Sequence, residues 1–82
     1  MNNVRITEGK YEAVYHAGFN TVNCMDTTVP TRHWESFEVE KDGDYLVAVC
    51  DGEIEIARAK EMKALLVLCL ADYKAIMEAD YE

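Results

Sequence analysis

The stretch Ala64-Leu65-Leu66-Val67-Leu68-Cys69-Leu70-Ala71 decides how the rest of this chain is read. It is an unbroken apolar run inside a longer pattern of helical period. Met62, Leu65, Leu66, Cys69, Tyr73, Ile76 and Met77 recur at steps of three and four, so at ~100° per residue they fall on one stripe. No Pro or Gly interrupts the span, and its Ala, Leu, Lys, Glu and Met are strong helix formers. The spacing predicts one long helix over Ala59–Ala79, roughly 30 Å at ~1.5 Å per residue.

A second apolar set shares that spacing on the other side: Ala64, Val67, Leu68, Ala71 and Ala75. Charges keep to the margins, Lys63 and Lys74 on one, Glu61 and Asp72 on the other. A helix apolar on both sides is normally buried on both sides. Either the N-terminal segment covers this second face, or a partner packs there, a second copy giving a homodimer through the C-terminal helix.

Upstream, strand signals dominate. Val4–Thr7 and Tyr11–His16 suggest a hairpin across Glu8-Gly9. Trp34–Glu40 alternates, with Phe37 and Val39 on one side and Ser36, Glu38 and Glu40 on the other. Lys41-Asp42-Gly43-Asp44 and Asp51-Gly52 are turn signals flanking the apolar Tyr45–Cys50, and Glu53–Ile56 alternates again. The expected fold is a single α+β domain over residues 1–82. An antiparallel sheet of four to five strands, with a β-meander at 34–57, packs against one long C-terminal helix. Phe37, Val39, Val47, Ile54 and Ile56 are expected to be buried with the helix stripe, Phe37, Val39, Ile54 and Ile56 facing it and Tyr45–Cys50 reading as a central strand buried on both faces. Residues 17–33 read as a long loop, with an irregular strand around Phe19–Cys24 as the alternative; Phe19, Val22 and Met25 are its expected anchors to the core.

The chain of 82 residues carries a net charge of −8. Residues 34–57 hold Lys41 against Glu35, Glu38, Glu40, Asp42, Asp44, Asp51, Glu53 and Glu55, a net of −7. Such a chain is not expected to bind nucleic acid or an anionic membrane directly; it is expected to be drawn to a basic protein or ribonucleoprotein. Strand alternation turns Glu38, Glu40, Glu53 and Glu55 away from the helix, while Asp42, Asp44 and Asp51 crown the turns. Carboxylates two apart on a strand are separated by ~6.6 Å, close to the phosphate repeat of a nucleic-acid strand. These seven acids form the expected partner-binding face, with Trp34, an aromatic beside the long loop, as a further anchor. The competing reading is that the charge merely keeps an open sheet face wet.

Nothing points to catalysis. There is no Gly-rich phosphate loop and no nucleophile elbow, and an open acidic sheet lacks the cleft that shifts a carboxylate pKa. Cys24, Cys50 and Cys69 are widely spaced and, with His16 and His33, form no CxxC or HxxxH pair. No metal or cofactor is therefore expected. The apolar run is too short to span a bilayer and the first residues hold no apolar signal core, so the chain reads as cytoplasmic.

In its size, its acidity and its Asp-Gly-punctuated meander running into a C-terminal helix, the chain resembles the small single-domain inhibitors made by bacteriophages, the anti-CRISPR proteins among them. The likeness is one of class, not of motif, and carries no functional residue over. It implies a non-catalytic, stoichiometric inhibitor acting in the host bacterial cytoplasm, one that blocks a nucleic-acid-handling defence complex by binding protein. The alternative is a small accessory or regulatory subunit of a bacterial or phage assembly, its acidic face only solvated.

Overall fold

The structure, a computed structural model, describes residues 2–28 and 34–79. Six strands follow one another as β1 (Val4–Glu8), β2 (Tyr11–His16), β3 (Thr21–Asp26), β4 (Trp34–Asp42), β5 (Tyr45–Cys50) and β6 (Ile54–Ala59). Helix α1 (Met62–Ala79) closes the chain. Every strand pairs antiparallel with its sequence neighbours, so the sheet is a plain meander in the order β1-β2-β3-β4-β5-β6. The α+β class and the helix on one face are as expected. The sheet has one strand more than the four or five read from the sequence, and the meander is not confined to 34–57.

The additional strand is β3, in the stretch read as a loop with an irregular strand around Phe19–Cys24 as the alternative; the strand is there, at Thr21–Asp26. Asn20 explains how it forms. Its backbone takes φ of 53°, a left-handed conformation that Asn tolerates better than most residues. Its side chain accepts from the Tyr15 hydroxyl at 2.6 Å and donates to the Val39 carbonyl at 2.7 Å, while the Val39 amide donates to the Asn20 carbonyl at 3.0 Å. One residue thereby turns β2 into β3 and ties both to β4. Val22 and Cys24 then face inward, and so does Asp26, which hid the alternation. Phe19, expected as an anchor, is 82% exposed at the tip of this turn. Val22 is buried as expected, and Met25 is half-buried.

Buried Asp26 is an inward charge that finds partners. Its carboxylate accepts from the Thr28 hydroxyl at 2.6 Å and the Thr28 amide at 2.9 Å, and Lys10 Nζ lies 3.6 Å away. The Thr28 hydroxyl, helped by the Thr28 amide and Lys10, outweighs burial and holds this carboxyl below the usual carboxylate range. A carboxylate with a depressed folded pKa stabilises the fold above its unfolded value of ~3.9, and that contribution is lost as pH falls through the folded value. Asp26→Asn should therefore lower the melting temperature at pH 7 and flatten its decline below about pH 4. Thermal melts of both chains between neutral and acid pH test this; parallel profiles would assign the acid transition to other groups.

The helix begins at Met62, not Ala59. Ala57, Arg58 and Ala59 continue the ladder opposite Ala48, Val47 and Leu46, and the first helical bond runs from the Leu65 amide to the Glu61 carbonyl at 3.0 Å. Met62, Leu65, Leu66, Cys69, Leu70, Tyr73 and Met77 form its buried stripe. That stripe is turned toward Leu70 relative to the expected one, which leaves Ile76 on its margin, 44% exposed. Across the interface lie Ala13, Val22, Cys24, Phe37, Val39, Leu46 and Ala48. The Tyr11 and Tyr73 rings meet edge-on at 5.9 Å.

Of two further core expectations one is met and one corrected. Val47 is buried as expected, and its register with Glu40 and Arg58 puts it on the sheet face away from the helix. Ile54 is 57% exposed because it sits at the turn end of the edge strand β6, with no strand beyond it. A register shift between Ala48 and Val49 leaves Ile56 as the extra residue between Ala57 and Glu55. Ile56 is half-buried against the core.

Candidate protein-docking surface

The open face of the sheet is built by alternation and register. On β4, Glu38 lies opposite Val49 and Glu40 opposite Val47. On β6, Glu55 lies opposite Val49 and Arg58 opposite Val47. Two valines therefore form the floor of a furrow along β5, walled by β4 carboxylates on one side and by Glu55 and Arg58 on the other. At ~4.8 Å between strands the walls stand about 10 Å apart. Both valines are buried although no layer covers this face; long charged side chains shield apolar surface with their stems while their heads stay wet. The furrow is a shallow hollow of about 320 Å³, reaching from Asp42 to Gly52 and Glu53. Glu38 also lines a neighbouring hollow with Thr21, Ser36 and Asp51.

Arg58 was not among the expected site residues, yet it sits in the middle of this face. Its guanidinium donates to Glu55 through Nε at 3.0 Å and Nη2 at 2.7 Å, and to Asp42 through Nη1 at 3.1 Å. It also lies over the Tyr45 ring, 5.6 Å from the centroid, as does Lys60 Nζ. The Arg58 bonds hold the Glu55 carboxyl below its ordinary range and push Arg58 itself up. Alternation alone would have turned Arg58 inward. The register shift in β6 reverses its side, and only the pairing with β5 reveals it.

Arg58 gives the face a polarity. At the Asp42 end, carboxylates are answered by Arg58. Toward the Asp51–Glu53 turn they are not: among the described residues no cation pairs with Glu38, Asp51 or Glu53, nor with Glu40, which stands across Val47 from Arg58. Asp51 and Gly52 take φ of 55° and 75°, the positive values a primed hairpin turn requires. The Glu53 amide donates to the Cys50 carbonyl at 3.3 Å. Glu53 thus belongs to the turn, not to β6 as expected, and lies on the rim of the furrow. Asp44 is exposed at the opposite end, beside Gly43. Glu35, counted with the acids, pairs with Cys24 and shares the helix side of the sheet. Trp34 opens β4 opposite Met25, and its side chain falls outside the described residues.

The other residues singled out do not join the furrow. Cys24 and Cys69 are buried in the helix–sheet core. Burial pushes the Cys69 thiol up to about 12 and Cys24 higher still, so neither is a thiolate near neutrality. Cys50 is half-buried, and burial raises it too. His16 ends β2 opposite Thr21; His33 lies outside the described residues. Among the described residues no group of His, Cys, Asp and Glu is placed to hold a metal ion, and no helix is long and apolar enough to cross a membrane. The self-association residues Ala64, Val67, Leu68, Ala71 and Ala75 are all exposed on α1, on the far side of the sheet from the furrow. Compared with protein-family models, curated proteins and solved structures, the chain matches none.

Proposed function

We propose that this chain is a non-catalytic inhibitor of the kind bacteriophages use against host defence, acting by laying its acidic sheet face on a basic surface where the target holds nucleic acid. The observation that carries this reading is the set of carboxylates along the β4 wall and the Asp51–Glu53 turn, Glu38, Glu40, Asp51 and Glu53, which have no cation among the described residues and stand beside an apolar floor of Val47 and Val49. A partner's Arg or Lys can rest its methylene stem on those valines and its charge between the walls. Arg58, opposite Val47, already places its charge between Glu55 and Asp42 on this face. The Glu38–Glu40 repeat of ~6.6 Å along β4 gives the face a spacing that a phosphate-binding groove accepts.

The test is competition. The immobilised chain is loaded with the complex it captures from bacterial lysate, and excess nucleic acid is then applied. Displacement is expected, because both ligands need the same basic groove. Retention of the complex at saturating nucleic acid would remove the groove reading. It would leave the second one, an accessory subunit held through another surface, for which the exposed apolar side of α1 is the candidate.

A further inference from the structure

Helix α1 has an outer face with no partner among the described residues. Val67 and Leu68 are 55% and 46% exposed, and Ala64, Ala71 and Ala75 are exposed around them.

We propose that this face is the contact between two copies of the chain, packed about a two-fold axis that runs parallel to the helices. The alanines let two helix axes approach to about 8 Å, and Val67 and Leu68 fill the space beside them. Orientation follows from the charged margins. Lys63 and Lys74 lie along one edge of the stripe, Glu61 and Asp72 along the other, each acid two residues from a lysine and so ~3 Å away along the axis. A two-fold parallel to the helices sets the basic edge of one copy against the acidic edge of the other, with Lys63 near Glu61 at one level and Lys74 near Asp72 at the next. A two-fold perpendicular to the helices sets lysines against lysines and acids against acids. Charge therefore selects the parallel pair. Lys74 is also held by Glu8 at 3.0 Å, which leaves Lys63 and Glu61 as the cleaner pair to vary.

The acidic furrow does not oppose this contact. It lies on the other side of the sheet, so a pair joined through α1 carries its two furrows outward and apart. The inference is independent of what the furrow binds. One helix face is a small contact, which places the dimer at the weak end of specific association.

Sedimentation of the full chain from about 1 to 200 µM, the range of a weak contact, should show a rise toward twice the 9.3 kDa chain mass. Leu68→Glu should raise the dissociation constant at least about tenfold. Lys63→Glu should raise it about three- to tenfold by opposing the partner's Glu61, and adding Glu61→Lys should restore the wild-type value. All three positions are exposed, so melting temperatures should stay near wild type. A mass that stays monomeric throughout overturns the contact. Tighter or unchanged association of Lys63→Glu, or no rescue by the double variant, overturns the parallel arrangement.

Discussion

Leu66→Asp is expected to abolish the fold, whereas the same substitution at Leu68, two residues away, should leave the melting temperature within a few degrees of wild type. Leu66 is fully buried between α1 and the sheet, and Leu68 is on the outer face of the same helix. Truncating a buried leucine costs about 2–5 kcal/mol through lost burial and the cavity left behind. An unpaired carboxylate in that position adds several kcal/mol, or forces itself to protonate at a similar cost. A domain of this length has only about 4–12 kcal/mol of stability in total, at 0.05–0.15 kcal/mol per residue. The sum is comparable to all the stability the fold holds. Circular dichroism and thermal melts of both variants decide the matter. A cooperative transition at the wild-type temperature for Leu66→Asp would mean that the buried side of α1 has been misassigned.

The second large effect is expected in binding. Reversing Glu38, Glu40 and Glu53 to Lys should abolish capture of the partner while the melting transition stays intact. All three are exposed, and no cation among the described residues depends on them. Glu55 and Asp42 are left alone because Arg58 is bonded to both, and removing either would disturb the fold along with the charge. Reversing Glu8, Glu12 and Glu78 makes the same change in net charge elsewhere. It breaks the surface pair of Glu8 with Lys74, worth about 0–1 kcal/mol, and the pair of Arg5 with Glu12, whose side chain is only 18% exposed, so the melting temperature of this control is read alongside its capture. That control should capture at close to full strength. Wild-type binding should also weaken as salt rises, since the Debye length is ~8 Å at 0.15 M and shorter above it. Association should slow more than dissociation quickens. Undiminished capture by the furrow variant would reduce the acidic face to a solvated surface.

The sequence by itself determined the α+β class, the C-terminal helix with Leu65, Leu66 and Cys69 on its buried side, the strands around both Asp-Gly-type turns, and the crowding of acids between Glu35 and Glu55. Each of these is local information: a period of 3.6 or 2, a residue that tolerates positive φ, or a run of one charge. The tertiary structure alone decided which neighbours those patterns meet. It made a strand of Thr21–Asp26 because Asn20 is held by Tyr15 and Val39 and Asp26 by Thr28 and Lys10, contacts that no periodicity announces. It turned Val47 away from the helix and left Ile54 exposed, because sides are assigned by the register with β4 and β5 and by the shift at Ala48 and Val49. That same shift carried Arg58 onto the acidic face, where it answers Glu55 and Asp42, while Glu38, Glu40, Asp51 and Glu53 have no cation among the described residues. The charge of a segment can be counted along a chain. Which of its charges remain unpaired depends on what a neighbouring strand sets beside them, and one residue of slip in a strand exchanges one side for the other.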